Sequence, residues 1–166
     1  MKVLIIGAGY VGTHFAERAN TLGWDVSLTT TTPEKIPLLA RLGRVYLWDV
    51  SCSTETLPEV DIVLISVAPK DGNYSIYPKT ANAFKNFSRV VYISSTSVYG
   101  ECEGKIVDEG SFCQPDNANI ARLIEAEQIL LHSNSSSILR LGEIHGPGRE
   151  IAKRLQKING GVVPGT

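Results

Sequence analysis

Hydrophobic positions along the chain come in short runs set between polar stretches rich in glycine, serine and threonine, and the runs alternate between two periodicities. Lys2-Val3-Leu4-Ile5-Ile6 is apolar and β-branched, short enough to be a fully buried strand. Val26–Thr29, Arg44–Trp48, Asp61–Ile65, Arg89–Ile93 and Ser137–Leu141 read the same way. Between them lie segments of helical pattern: Thr13–Leu22, then Pro33–Leu42 with Gly43 as its stop, then Tyr74–Phe87, which Pro78 interrupts. Ala118–His132 carries Ile120, Leu123, Ile124, Ile129 and Leu130 largely on one side. Arg149–Ile158 reads as a last helix, and Gly100–Gln114 as a polar loop.

Apolar strands that alternate with helices predict a parallel sheet covered on both faces. Right-handed crossovers leave few topologies. The favoured one is a Rossmann-type, doubly wound α/β sheet of order 3-2-1-4-5-6, with its ligand at the carboxyl ends of the strands near the switch point. Gly7–Gly12, Thr30, Asp49, Ala68 and Ser95 all fall at that edge. Gly7-Ala8-Gly9-Tyr10-Val11-Gly12 has the spacing G-x-G-x-x-G, directly between a strand and a helix. In that context Gly7 makes the tight turn, Gly9 lets a pyrophosphate approach the backbone, and Gly12 lets helix and strand pack closely. The amides and positive dipole end of the helix then face the phosphates. The pattern predicts a dinucleotide site.

Composition narrows the class without changing this picture. The 166 residues make one ordinary domain, 43% apolar and 20% charged, with a formal net charge of -1. No basic run or aromatic-basic interleaving points to nucleic acid or an anionic membrane. Cys52, Cys102 and Cys113 lack metal-ligand spacing, so no metal is expected, and free thiols in a reducing cytoplasm are the expectation. The N-terminal apolar run is too short and too glycine-punctuated for a secretory signal, and no stretch has the length needed to span a bilayer.

Ser94-Ser95-Thr96-Ser97-Val98-Tyr99-Gly100 adds a recognisable signature at the end of the fifth strand. With it, the chain resembles the extended short-chain dehydrogenases/reductases, the NAD-dependent epimerase/dehydratase group, and more narrowly that group's atypical members. The resemblance runs over nearly the whole chain. It implies that Gly7, Gly9, Tyr10, Val11 and Gly12 form the nucleotide turn. It also places Asp49-Val50 at the adenine and Val67-Ala68-Pro69 where the fourth strand meets the cofactor. Val107-Asp108-Glu109 resembles the loop before the catalytic helix, and Leu139–Arg149 the sixth strand and the turn after it. Ser95 matches the catalytic serine or threonine, whose hydroxyl in such sites bonds the reacting oxygen. The tyrosine that serves as acid or base, and the lysine four residues on that tunes it, are missing: Asn119 and Leu123 occupy their positions. An unperturbed tyrosine near pKa ~10 needs that tuning. Arg122 stays protonated and cannot act as a base. Tyr99 reads as a packing residue of its turn. His145 is of a residue type that can carry protons in catalysis and is equally readable as a loop residue without a role.

NAD-selective Rossmann sites place an acid ~20 residues past the turn on the ribose 2′-hydroxyl. Here Thr30 stands there, followed by Thr31 and, nearby, Lys35; Asp25 comes too early and Glu34 lies in the following helix. Threonine hydroxyls do not repel a 2′-phosphate, which favours NADP, with NAD as the alternative. Thr29–Thr32 also reads as a strand end that caps the next helix.

Two functions stand at this point: an NAD(P)-dependent epimerase/dehydratase-like enzyme, acting as an oxidoreductase or on sugar nucleotides with rearranged acid/base residues, and a non-catalytic NADP-binding or sensing protein. The substrate is not legible. A UDP-sugar dehydrogenase is set aside, although Gly7–Gly12 resembles that family's opening, because Ser94–Gly100 fits the other family better. The resemblance also implies dimerisation through Tyr74–Phe87 and Ala118–His132, and a C-terminal substrate region that completes the sheet. The chain stops at 160–166, where a further strand is expected to begin. The expectation is one Rossmann domain over residues 1–166 whose substrate region is truncated, or whose open edge a partner covers.

Overall fold

The computed structural model describes residues 1–68, 72–133 and 135–150. Six strands form one sheet: β1 (Lys2–Ile6), β2 (Asp25–Thr30), β3 (Arg44–Leu47), β4 (Ile62–Ile65), β5 (Val90–Ser95) and β6 (Ser136–Leu141). Their order is β3-β2-β1-β4-β5-β6, and every pairing is parallel, as the sequence predicts. In β1, Val3 lies beside Val26 on one side and Ile62 on the other, so the chain reverses its direction of travel across the sheet between β1 and β4. That is the switch point, where the diverging crossovers leave a crevice outside the strand ends.

Both faces of the sheet are covered, which is why β1 is apolar without alternation. Leu4, Ile6, Val63, Ile65, Val90 and Tyr92 pack against α3 (Ile76–Phe84) and α4 (Ala118–Leu131). Val3, Ile5, Val26, Leu28 and Leu64 pack against α1 (Tyr10–Thr21) and Leu39 of α2 (Ile36–Leu39). Ile120 and Leu123 of α4 are buried within this core.

Three helices differ from the pattern reading, each for a local reason. α1 begins at Tyr10, three residues before Thr13, because the last glycine of the turn lies inside the first helical turn. Pro33–Leu42 is a 3-10 turn at Pro33–Lys35 followed by the single turn of α2. Pro37 has no amide to give the carbonyl of Pro33, and the Ile36 amide takes it in a tighter bond instead. Pro78 does not interrupt α3, because α3 starts only at Ile76; a proline in the first turn forfeits an amide that has no helical partner. Of the expected last helix, Arg149 bridges back to Gly146 and Glu150 is not helical, and the rest lies outside the described residues. No helix among the described residues is long and apolar enough to cross a membrane.

Candidate functional site

The glycine turn is held from a neighbouring strand. Gly7 takes φ +90°, and a Cβ there would come 2.7 Å from the Ser66 carbonyl oxygen. Its amide donates to Oγ1 of Thr29 at 3.2 Å, and the Ala8 amide to the Thr29 carbonyl, also at 3.2 Å. Thr29 is 2% exposed. Sequence reading missed this anchor; the signal was a threonine at an inward position of a buried strand. Gly12 is closed in as well, since a Cβ would stand 2.5 Å from the Gly7 carbonyl oxygen. Gly9 is the opposite case, with nothing within 4 Å of where a Cβ would be. It caps α1 without a side chain, and the amides of Tyr10, Val11 and Gly12 find no acceptor among the described residues. No acidic residue occupies the first turn. The turn therefore presents open space and free donors at the positive end of a helix, a cradle that fits a phosphate group.

A crevice of about 350 Å³ opens beside the turn. It brings together Gly7, Gly9, Thr30, Thr31, Lys35, Asp49, Val50, Val67 and Ala68 from the ends of four strands and their loops. Tyr10, Val11 and Gly12 do not line it; they form the first turn of α1 next to it. Pro69 lies outside the described residues. Trp48, Ile76 and Thr80 also line it. They went unread because their pattern marks them as core, and Trp48 is indeed 5% exposed, its indole donating to the Ser53 carbonyl at 3.2 Å. Thr30 accepts the Thr32 amide at 3.1 Å through its hydroxyl, shaping the turn that carries Thr31 and Lys35. Asp49 accepts from both the hydroxyl and the amide of Ser51, which hold its carboxyl below the usual aspartate range.

Ser95 is not a crevice residue. It ends β5, where its hydroxyl accepts the Ser97 amide at 3.1 Å and starts the 3-10 turn Thr96–Tyr99. Beneath that turn lies a polar cluster the sequence reading did not assemble. Arg140 on β6 grips the carboxylate of Glu127 on α4, at 2.8 Å through Nη2 and 3.2 Å through Nε. Glu127 is 2% exposed and also accepts from the Ser94 hydroxyl at 2.5 Å. Nη1 of Arg140 donates to the Tyr99 hydroxyl at 3.0 Å, so Tyr99 is tied into packing. The carboxylate lifts the Arg140 pKa further above its ordinary range, and burial pushes the Cys113 thiol up. Glu127 stands on the apolar stripe of α4, between Leu123 and Leu130, and that misplaced charge was the available signal.

The tyrosine and lysine positions stay empty of acid/base groups. Leu123 is 6% exposed in the core, and Arg122 pairs with Glu125 on the exposed face of the helix. Asn119 has a buried Oδ1 with no hydrogen-bond partner among the described residues. His145 faces Glu143 at 3.7 Å.

No protein-family model matches the chain. Among solved structures, UDP-galactose 4-epimerase superposes with a TM-score of 0.76 at 17% identity, over 96% of this chain and 63% of that one. TunA, an NAD-dependent NDP-hexosamine 5,6-dehydratase, gives 0.71 at 21% identity, over 88% of this chain and 56% of that one. The fold is that of the NAD-dependent epimerases and dehydratases. A conserved protein of unknown function from Silicibacter pomeroyi superposes with a TM-score of 0.74 at 26% identity, over 93% of this chain and 56% of that one. In sequence, the chain is similar to protein YeeZ of Escherichia coli K12, 29% identical over 170 residues, covering 89% of this chain. It spans 60% of the length of YeeZ.

Proposed function

We propose that this chain belongs to the NAD-dependent epimerase/dehydratase group and holds a nicotinamide dinucleotide in the crevice at the switch point. The observation that carries this reading is the open space over Gly9, continuous with free amides at the start of α1 and bordered by the crevice. In the proposed pose the first turn of α1 takes the pyrophosphate, Thr30, Thr31 and Lys35 flank the adenine ribose, and Asp49 and Val50 meet the adenine. Val67 and Ala68 border the path toward the nicotinamide. Lys35 and the absence of a carboxylate at Thr30 favour NADP over NAD. A bound nicotinamide supplies hydride transfer. Ser95, at the end of β5, is the hydroxyl proposed to bond a reacting oxygen.

A second reading, a binding or sensing protein without chemistry, is favoured by one observation: Leu123 is buried core where a catalytic lysine would be required. Titration of NADPH and NADH against the fluorescence of Trp48, a crevice residue, tests the shared part of both readings. Saturable quenching with tighter NADPH binding is expected; no response to either overturns the proposal. Turnover of NADPH with any carbonyl or sugar-nucleotide substrate, lost in Ser95→Ala, decides for the enzyme. Turnover unchanged in Ser95→Ala removes Ser95 from the reaction.

A further inference from the structure

The segment after β6 does not stay at its own edge of the sheet. β6 is three strands from β1, roughly 14 Å at the usual strand spacing. Yet by Arg149 the chain is back at the start of α1: the Arg149 guanidinium lies over the Tyr10 ring, 4.7 Å from its centroid. A Cβ on Gly146 would come 2.2 Å from the Tyr10 hydroxyl, so the backbone itself is pressed onto that side chain. A tight turn closes the excursion, with Pro147 and Gly148 at its centre and the Arg149 amide donating to the Gly146 carbonyl at 2.8 Å. Gly148 takes φ +78° there, a conformation suited to glycine. Residues 142–149 thus run from the carboxyl end of β6 back to the start of α1, where they latch onto Tyr10, the first helical residue of the glycine turn.

We infer that this segment is a strap over the dinucleotide and that Arg149 is a phosphate-binding residue. The inference rests on the dinucleotide reading above and adds a residue to it. Tyr10 holds the guanidinium by its ring face, which leaves the planar fork of N–H donors able to pair with anionic oxygens. The partner it fits is the pyrophosphate at the free amides of Tyr10, Val11 and Gly12, whose two negative charges those amides alone do not neutralise. Arg149 is exposed and its ring contact is with one surface tyrosine, so its replacement leaves the core untouched.

The test is a ligand series on the whole chain. Affinities for NADPH, ADP-ribose and adenosine 2′-monophosphate are measured for the wild type, Arg149→Ala and Arg149→Lys, with melting temperatures alongside. Losing charge-assisted hydrogen bonds to a phosphate predicts a drop of about tenfold to a hundredfold for NADPH and ADP-ribose in Arg149→Ala. The 2′-monophosphate, which lacks the pyrophosphate, should bind unchanged. Arg149→Lys should recover part of the loss, as a point charge without the fork. Equal affinities in wild type and Arg149→Ala overturn the strap while leaving the dinucleotide site standing. A uniform loss across the three ligands makes the segment merely structural and also overturns the assignment. A wild type that binds none of them removes the dinucleotide reading and the strap with it.

Discussion

Replacing Gly9 by alanine separates what the glycine turn needs for folding from what it needs for a ligand. Gly9 has φ -89° and ψ -157°, extended backbone that alanine adopts, and an added Cβ meets nothing within 4 Å. Two small terms then act on stability. Removing glycine's freedom in the unfolded chain favours the variant by about 0.4–1 kcal/mol. Alanine is a poorer helix N-cap than glycine, which costs roughly 0.5–1 kcal/mol. The net is about zero, so the melting temperature should move by no more than about 3 °C. The new methyl group does occupy the space through which a phosphate would reach the amides of α1. One lost hydrogen bond to a charged group, about 1.5–3 kcal/mol, lowers NADPH affinity by about tenfold to a hundredfold. Gly7→Ala and Gly12→Ala give the contrast, because their Cβ atoms would sit 2.7 and 2.5 Å from backbone oxygens. Both should lose stability before binding is measured. Isothermal titration and thermal melts of the three variants make the comparison. A Gly9→Ala protein that melts normally and binds NADPH like the wild type would refute the cradle; one that melts far lower would refute the claim of open space.

The buried pair offers a second test: Glu127→Leu or Arg140→Met alone should destabilise by about 3–5 kcal/mol, with the double variant recovering most of it, read by denaturant unfolding. Tyr92→Phe should raise the melting temperature by about 2–4 °C, since the Tyr92 hydroxyl is buried without a partner among the described residues and burial pushes its pKa up. Asp49 is held below its ordinary 3.8 in the fold, so it favours folding above that value, and the contribution fades as pH falls through the lowered pKa. Ser51→Ala should return the Asp49 carboxyl toward its ordinary value by NMR titration; an unchanged titration would rule out Ser51 as the cause.

What was legible in the sequence was what local pattern encodes. Strand runs separated by helical segments imply a parallel sheet, and the crossover rule turns that into the order found. The crevice residues at Gly7, Thr30, Asp49 and Ala68 followed, because each stands at or just past the carboxyl end of a strand and those ends share one edge. What was not legible depends on which distant side chains meet. Arg140 and Glu127 pair across β6 and α4: the charge on the apolar stripe of α4 is visible in the sequence, but not the residue it meets. Arg149 reads as the start of a helix until its ring contact with Tyr10 places it in a turn. Ser95 lies at the right edge yet outside the crevice, because β5 stands one strand beyond the four whose ends line it.

Thr29 and Thr30 are neighbours on one strand with separate duties: Thr29 holds Gly7 in place, and Thr30 shapes the loop that carries Thr31 and Lys35. For protein engineering this couples two properties usually treated as independent. Replacing Thr30 to change ligand preference would disturb the end of β2, one residue from the threonine that holds the glycine turn. Libraries aimed at cofactor preference should therefore vary Thr31 and Lys35, whose side chains are exposed, and leave both threonines of β2 unchanged.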